Sequence, residues 1–211
     1  MASRHTFPTI THQIIMDANT MITGVILAGG QSSRMGGNDK GLIELAGRPL
    51  YQHVLDRLKP QVDILLINAN RHQERYQQSG YPVIGDINRN FSGPLAGIFT
   101  GLSLAKTDWV VFVPCDVPAL PVDLVSRLRP SNDNHLAAYA TDGSREHPTL
   151  LAIHTSLVGK LEAYLSNGGR KLMLFLEQIG AKAVSFADQP LSFRNLNTPE
   201  DLARWQEPHH D

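Results

Sequence analysis

The chain has 211 residues, 42% hydrophobic and 18% charged, with a formal net charge of −1 and one cysteine. This balance suits one globular domain with a sizeable core and excludes a disordered chain or a strongly basic nucleic-acid binder. A lone Cys115 excludes an internal disulfide and a cysteine zinc cluster, and no apolar run reaches the length of a membrane span.

Residues 1–20 lack the apolar core and cleavage site of a signal peptide. They are expected to be a flexible extension, with Met16 and Met21 as further possible starts, so a cytoplasmic protein is expected. Residues 21–211 are expected to form a single domain. Short apolar runs at 24–28, 63–68 and 109–113 predict buried strands, apolar on both faces as a covered parallel sheet requires. Helical patterns at 49–58, 71–78 and 94–105 lie between them, with Pro49 and Pro94 at expected helix starts. The alternation predicts an α/β fold of three layers, a Rossmann-like, mostly parallel sheet flanked by helices.

The second half predicts a helix at 122–128, then strands at 136–140 and 149–153 joined by the polar stretch 141–148. Helices at 157–166 and 170–179 each end at glycine, a strand follows at 183–186, and Thr198-Pro199-Glu200 opens a last helix.

The first strand runs into Gly29-Gly30, where backbone N–H groups can approach an anion closely. Ser32 and Ser33 add hydroxyl donors, and Arg34 and Lys40 add positive charge. Together these predict a cradle for the phosphates of a nucleoside triphosphate. It is not a P-loop, because Gly41 follows Lys40, and no G-x-G-x-x-G dinucleotide fingerprint is present. Asp116 follows the strand at 109–113 and so falls at the carboxyl edge of the sheet, where open α/β sheets bind ligands. A carboxylate there is either a helix cap or a ligand for Mg²⁺ that bridges phosphates; the phosphate loop favours the metal. Cys115 follows an apolar run, has no obvious activating partner and is read as a buried structural thiol.

The string LAGGQSSRMGGNDKGLIELAGRPL resembles the signature loop of the nucleotidyltransferase superfamily, whose fold is that of the nucleotide-diphospho-sugar transferases. With Asn68-Ala-Asn-Arg71, the GPLAG at 93–97, Pro114-Cys-Asp116, the DGSREHP at 142–148 and the NLNTPE at 195–200, the chain resembles the bacterial molybdenum cofactor guanylyltransferases from about Met21 onward. The resemblance implies GTP and molybdopterin as substrates, Mg²⁺ (with Mn²⁺ as a substitute) as cofactor, and a guanine dinucleotide plus pyrophosphate as products. It implies nucleotide contacts at Leu27, Ala28, Gly29, Gly30, Asn68 and Asp86. Arg34 and Lys40 would act on the phosphates, and Asp116 would hold the metal. Arg145, His147, Asn195 and Asn197 would meet the second substrate, or else form a polar hairpin tip and the turn before the last helix. A monomer is expected, in transient contact with cofactor-insertion proteins and molybdoenzyme chaperones, and with neither nucleic acid nor membrane. Sibling activities remain open at this point: a molybdopterin cytidylyltransferase, another small-molecule nucleotidyltransferase, or a non-catalytic cofactor carrier.

Overall fold

The structure, a computed structural model, describes residues 21–28, 39–88, 90–91, 93–129, 135–196, 201 and 205. Residues 1–20, Gly29, Gly30, Arg34, Asn197 and the expected cap at Thr198 lie outside them.

Nine strands and six helices follow in chain order among the described residues: β1 (Ile22–Leu27), β2 (Glu44–Leu45), β3 (Arg48–Pro49), α1 (Leu50–Leu58), β4 (Ile64–Asn68), α2 (Gln73–Gln77), β5 (Val83–Ile84), α3 (Pro94–Leu104), β6 (Trp109–Pro114), α4 (Leu124–Leu128), β7 (Ala137–Thr141), β8 (Glu146–His154), α5 (Val158–Ser166), α6 (Leu172–Gln178) and β9 (Lys182–Ser185). Seven of the strands form one sheet in the order β5-β4-β1-β6-β8-β7-β9, while β2 and β3 make a separate ribbon. β5, β4, β1 and β6 pair in parallel, as do β7 and β9, and β8 alone runs against its neighbours. The predicted mostly parallel sheet is therefore present, with one reversed strand. No helix among the described residues is long and apolar enough to cross a membrane.

The apolar runs that predict the strands are apolar throughout because each sheet face has its own helical layer. Ile22, Ile26, Val111 and Val113 pack with Tyr51, Val54, Leu58, Leu124 and Leu128, from α1 and α4. The alternate residues Val25, Val110 and Phe112 pack with Leu95, Ile98, Leu161 and Phe175, from α3, α5 and α6. A period-2 alternation of partners, not of polarity, is what a doubly covered strand produces.

Two of the differences from expectation have a clear local cause. The helix expected from 71 begins at Gln73, because His72 takes a left-handed conformation (φ 47°, ψ 36°) that a helix cannot continue. The polar connection expected over 141–148 is shorter, and β8 begins at Glu146. Asp142 closes that turn. Its Oδ1 accepts from the backbone N–H groups of Ser144 and Arg145 and from the Ser144 hydroxyl. Pro148 falls in the irregularity between Tyr139↔Leu151 and Ala140↔His147, a place in a ladder where a missing N–H costs nothing.

Candidate active site

Register brings the site together. Leu27 stands opposite Asn68 of β4 on one side and Pro114 of β6 on the other. The ends of three neighbouring parallel strands therefore share one row at the carboxyl edge. The row is tied one step further out: the Ala28 N–H donates to the Asn68 carbonyl (2.8 Å) and the Cys115 N–H to the Leu27 carbonyl (3.2 Å). From β1 the chain builds outward to β4 and β5, then crosses to β6 on the other side. Such a reversal of strand order opens a ligand crevice at the carboxyl ends.

Asp116 lies on the β6 side of this crevice, 5% exposed. Lys40 Nζ donates to its Oδ2 at 2.7 Å, and Asn195 Nδ2 approaches the same oxygen at 3.5 Å. The Leu196 N–H donates to the Asp116 carbonyl, which draws the chain after β9 onto the site. Three expected site residues from distant parts of the chain thus meet at one carboxylate.

Asp86 lies on the β5 side. Its Oδ1 accepts from Asn68 Nδ2 (2.9 Å) and its Oδ2 from Asn70 Nδ2 (2.7 Å), while its own N–H donates to Asn70 Oδ1 (2.8 Å). The next residue is fastened to α3, with the Ile87 N–H donating to the buried Thr100 hydroxyl. Asn68 can stand here only because residue 97 has no side chain: a Cβ on Gly97 would lie 2.4 Å from Asn68 Oδ1 and 2.8 Å from Leu27 Cδ2. Asn70 had no distinguishing signal in the sequence beyond its place after the strand; the structure gives it both hydrogen-bonding ends of Asp86.

Arg145 and His147 do not share one environment. Arg145 is on the turn with its side chain mostly exposed. His147 is buried; its Nε2 lies 2.8 Å from Asp142 Oδ2 and its ring 4.9 Å from that of Phe193. Phe193 also contacts Phe186, over which Arg127 lies at 4.0 Å. This aromatic column supports the segment that delivers Asn195. Burial works to raise the Asp142 carboxyl, but the hydrogen bonds from Ser144, His147 and Arg145 outweigh it and hold the group well below the usual carboxylate range. A depressed carboxyl stabilises the fold above its unfolded value of about 4 and loses that contribution as the pH falls through the folded value. Thermal midpoints followed from pH 6 to pH 2 should therefore fall more steeply for the native chain than for Asp142→Asn; parallel curves would contradict this role.

Cys115 is buried, and its thiol is pushed well above its ordinary range, chiefly by burial and then by the Asp116 and Asp39 carboxylates. It stays protonated at neutral pH and is a structural thiol, as the sequence suggested.

The donor set suits a particular kind of ion. Among the described residues no three His, Cys, Asp or Glu side chains cluster to hold a metal. One carboxylate with an amide beside it fits a hard cation that keeps several waters and takes its other oxygens from substrate phosphates, as Mg²⁺ does.

The family model for the MobA-like NTP transferase domain matches residues 24–181. A molybdenum cofactor guanylyltransferase of Serratia proteamaculans is 58% identical over 186 residues, 88% of this chain and 94% of the relative. One from Yersinia pseudotuberculosis is 61% identical over 186 residues, 88% of this chain and 95% of the relative. Among solved structures, molybdopterin-guanine dinucleotide biosynthesis protein A of Archaeoglobus fulgidus aligns with a TM-score of 0.72 at 24% identity, over 87% of this chain and 96% of that one.

Proposed function

The chain belongs to the MobA-like NTP transferase family and is a nucleotidyltransferase, and from that premise we propose that it transfers GMP from GTP to molybdopterin, with or without bound molybdenum. A terminal phosphate oxygen of the pterin attacks the α-phosphorus of GTP. The new P–O bond forms as the bond to the β-phosphate oxygen breaks, and pyrophosphate leaves with that electron pair. The product is a guanine dinucleotide form of the cofactor. Two polyanions must meet, so the main task is to offset charge, and the attacking phosphate is already ionised near neutral pH and needs no base.

The observation that carries this reading is the Lys40–Asp116–Asn195 constellation at the crevice where β1, β4 and β6 end. Lys40 binds the phosphates of GTP, with Arg34 assisting. Asn68 and Asp86 hold the nucleoside, and Leu27, Ala28, Gly29 and Gly30 also contact the nucleotide. Nucleotidyltransferases of this family generally use a divalent metal. Here Asp116 would hold it, with Asn195 beside it. The ion, taken as Mg²⁺ with Mn²⁺ as a substitute, supplies charge neutralisation across the phosphates when bound. Arg145, His147, Asn195 and Asn197 belong to the side that receives the pterin. The protein works as a cytoplasmic monomer that hands its product to cofactor-insertion proteins and molybdoenzyme chaperones.

Purified chain, Mg²⁺, molybdopterin and each of GTP, CTP, ATP and UTP test the reading by pyrophosphate release. GTP is expected to be preferred by at least about tenfold, the smallest margin a base-reading contact supplies. A preference for CTP assigns the sibling cytidylyl transfer instead, and binding of the finished dinucleotide with no pyrophosphate release assigns a carrier. Gly97→Ala tests the nucleoside side. The added methyl must displace Asn68 or Leu27, an overpacking that costs about 1–3 kcal/mol. The expected outcome is a raised KM for GTP with a smaller change in KM for the pterin; equal changes in both would place Asn68 away from the nucleotide.

A further inference from the structure

Asp39 is the residue just before Lys40, and its side chain is 4% exposed. A carboxylate this buried needs donors. Tyr76 Oη donates to its Oδ1, and His72 Nδ1 lies 3.4 Å from its Oδ2. Both partners come from one short segment. His72 is one of two non-glycine residues with positive φ among the described residues, and its carbonyl accepts from the N–H groups of Arg75 and Tyr76. The left-handed turn aims the His72 ring at Asp39 and starts the helical turn that brings Tyr76 up beside it. Tyr76 is fully buried, edge-on to Tyr51, and its phenol is pushed far up by burial and by the nearby Cys115 and Asp39, so it remains a donor.

The residue on the other side of Lys40 answers to the same hydroxyl. A Cβ on Gly41 would lie 2.5 Å from Tyr76 Oη. Tyr76 reaches Asp39 only across a residue with no side chain. The Asp39 carbonyl also accepts from the Leu42 N–H, closing a tight turn that contains Lys40. Lys40 therefore sits between two residues fixed by one buried tyrosine, with its ammonium at Asp116.

We propose that Asp39 is a positioning residue for nucleotidyl transfer: latched by Tyr76 and His72, it fixes the backbone from which Lys40 reaches the phosphates. This rests on the reading of Lys40 as a phosphate ligand given above. The segment that supplies the latch continues directly from Asn68 and Asn70, so one stretch of chain orders the nucleoside side through Asp86 and the phosphate side through Asp39.

The test is a double-mutant cycle on the full-length protein, with pyrophosphate release read from γ-labelled GTP so that slow variants stay measurable. Tyr76→Phe removes one oxygen and keeps the buried ring. It is expected to lower kcat/KM for GTP about tenfold when Lys40 is present, within the cost of a small misplacement of a catalytic group. In a Lys40→Met background the same change should cost no more than about twofold, because the group it positions is gone. Asp39→Asn, which still offers an oxygen to Tyr76, should retain more activity than Asp39→Ala. Equal losses from Tyr76→Phe in both backgrounds would show a merely structural role and overturn the latch, as would no loss in either. An unchanged rate for Lys40→Met alone overturns the reading of Lys40 and the proposal with it. Should Asp39→Ala fail to fold, Tyr76→Phe and Asp39→Asn decide the outcome.

Discussion

Asp116→Ala is expected to lower kcat/KM for GTP by about a thousandfold or more at every Mg²⁺ concentration, the scale of losing several kcal/mol of charge stabilisation. The size follows from where the carboxylate stands. It is almost wholly enclosed, at the end of a central strand, and it accepts from Lys40 and Asn195 together. Asp116→Asn is the sharper companion variant: it keeps shape and polarity, and it removes only the charge. Both variants should also lose the response of residual turnover to added Mg²⁺ or Mn²⁺. Near-normal turnover by either, in protein with an unchanged thermal midpoint, would remove Asp116 from the metal and from the phosphates.

The sheet was legible because its physics is local. Runs such as 109–113 are apolar at every position, and only a strand covered on both faces asks for that. The acidic residue after such a run is placed by topology alone, so Asp116 could be assigned to the carboxyl edge before any contact was known. The partners of these residues were not legible, because they are set by register and by distant turns. That Asn195 reaches Asp116 depends on a hydrogen bond from Leu196 and on the Phe186–Phe193–His147 column. The sequence shows these as separate aromatic and polar residues with no common period. Asp39 was missed for a related reason. It reads as an ordinary loop carboxylate beside a more conspicuous lysine, and its burial depends on a tyrosine 37 positions later. Gly41, a glycine directly after the conspicuous lysine, held the one available hint. His147 shows the converse error: a histidine in a polar stretch suggests an exposed tip, whereas a bulge at Pro148 carries it into the sheet and against Phe193.

Lys40→Ala is expected to lower kcat/KM for GTP by about a hundredfold, the usual cost of one group that stabilises charge in a transition state. Its ammonium is now on Asp116, with about a quarter of its side chain exposed, so it can turn toward a ligand without leaving a sealed interior. Two roles are compatible with that geometry, and they differ in their response to metal. If Lys40 only offset the charge of Asp116, a divalent cation arriving with GTP would take over that task, and the variant would recover at saturating Mg²⁺. If Lys40 binds phosphate, the loss persists however much Mg²⁺ is added, because the ion cannot stand in both places. Persistence is the expected result, together with a KM for GTP raised more than that for the pterin. Lys40→Arg keeps the charge but presents a rigid planar fork in place of a compact ammonium, and it should recover binding more than turnover. Full recovery of Lys40→Ala at high Mg²⁺ would confine Lys40 to its ion pair and remove it from the phosphates.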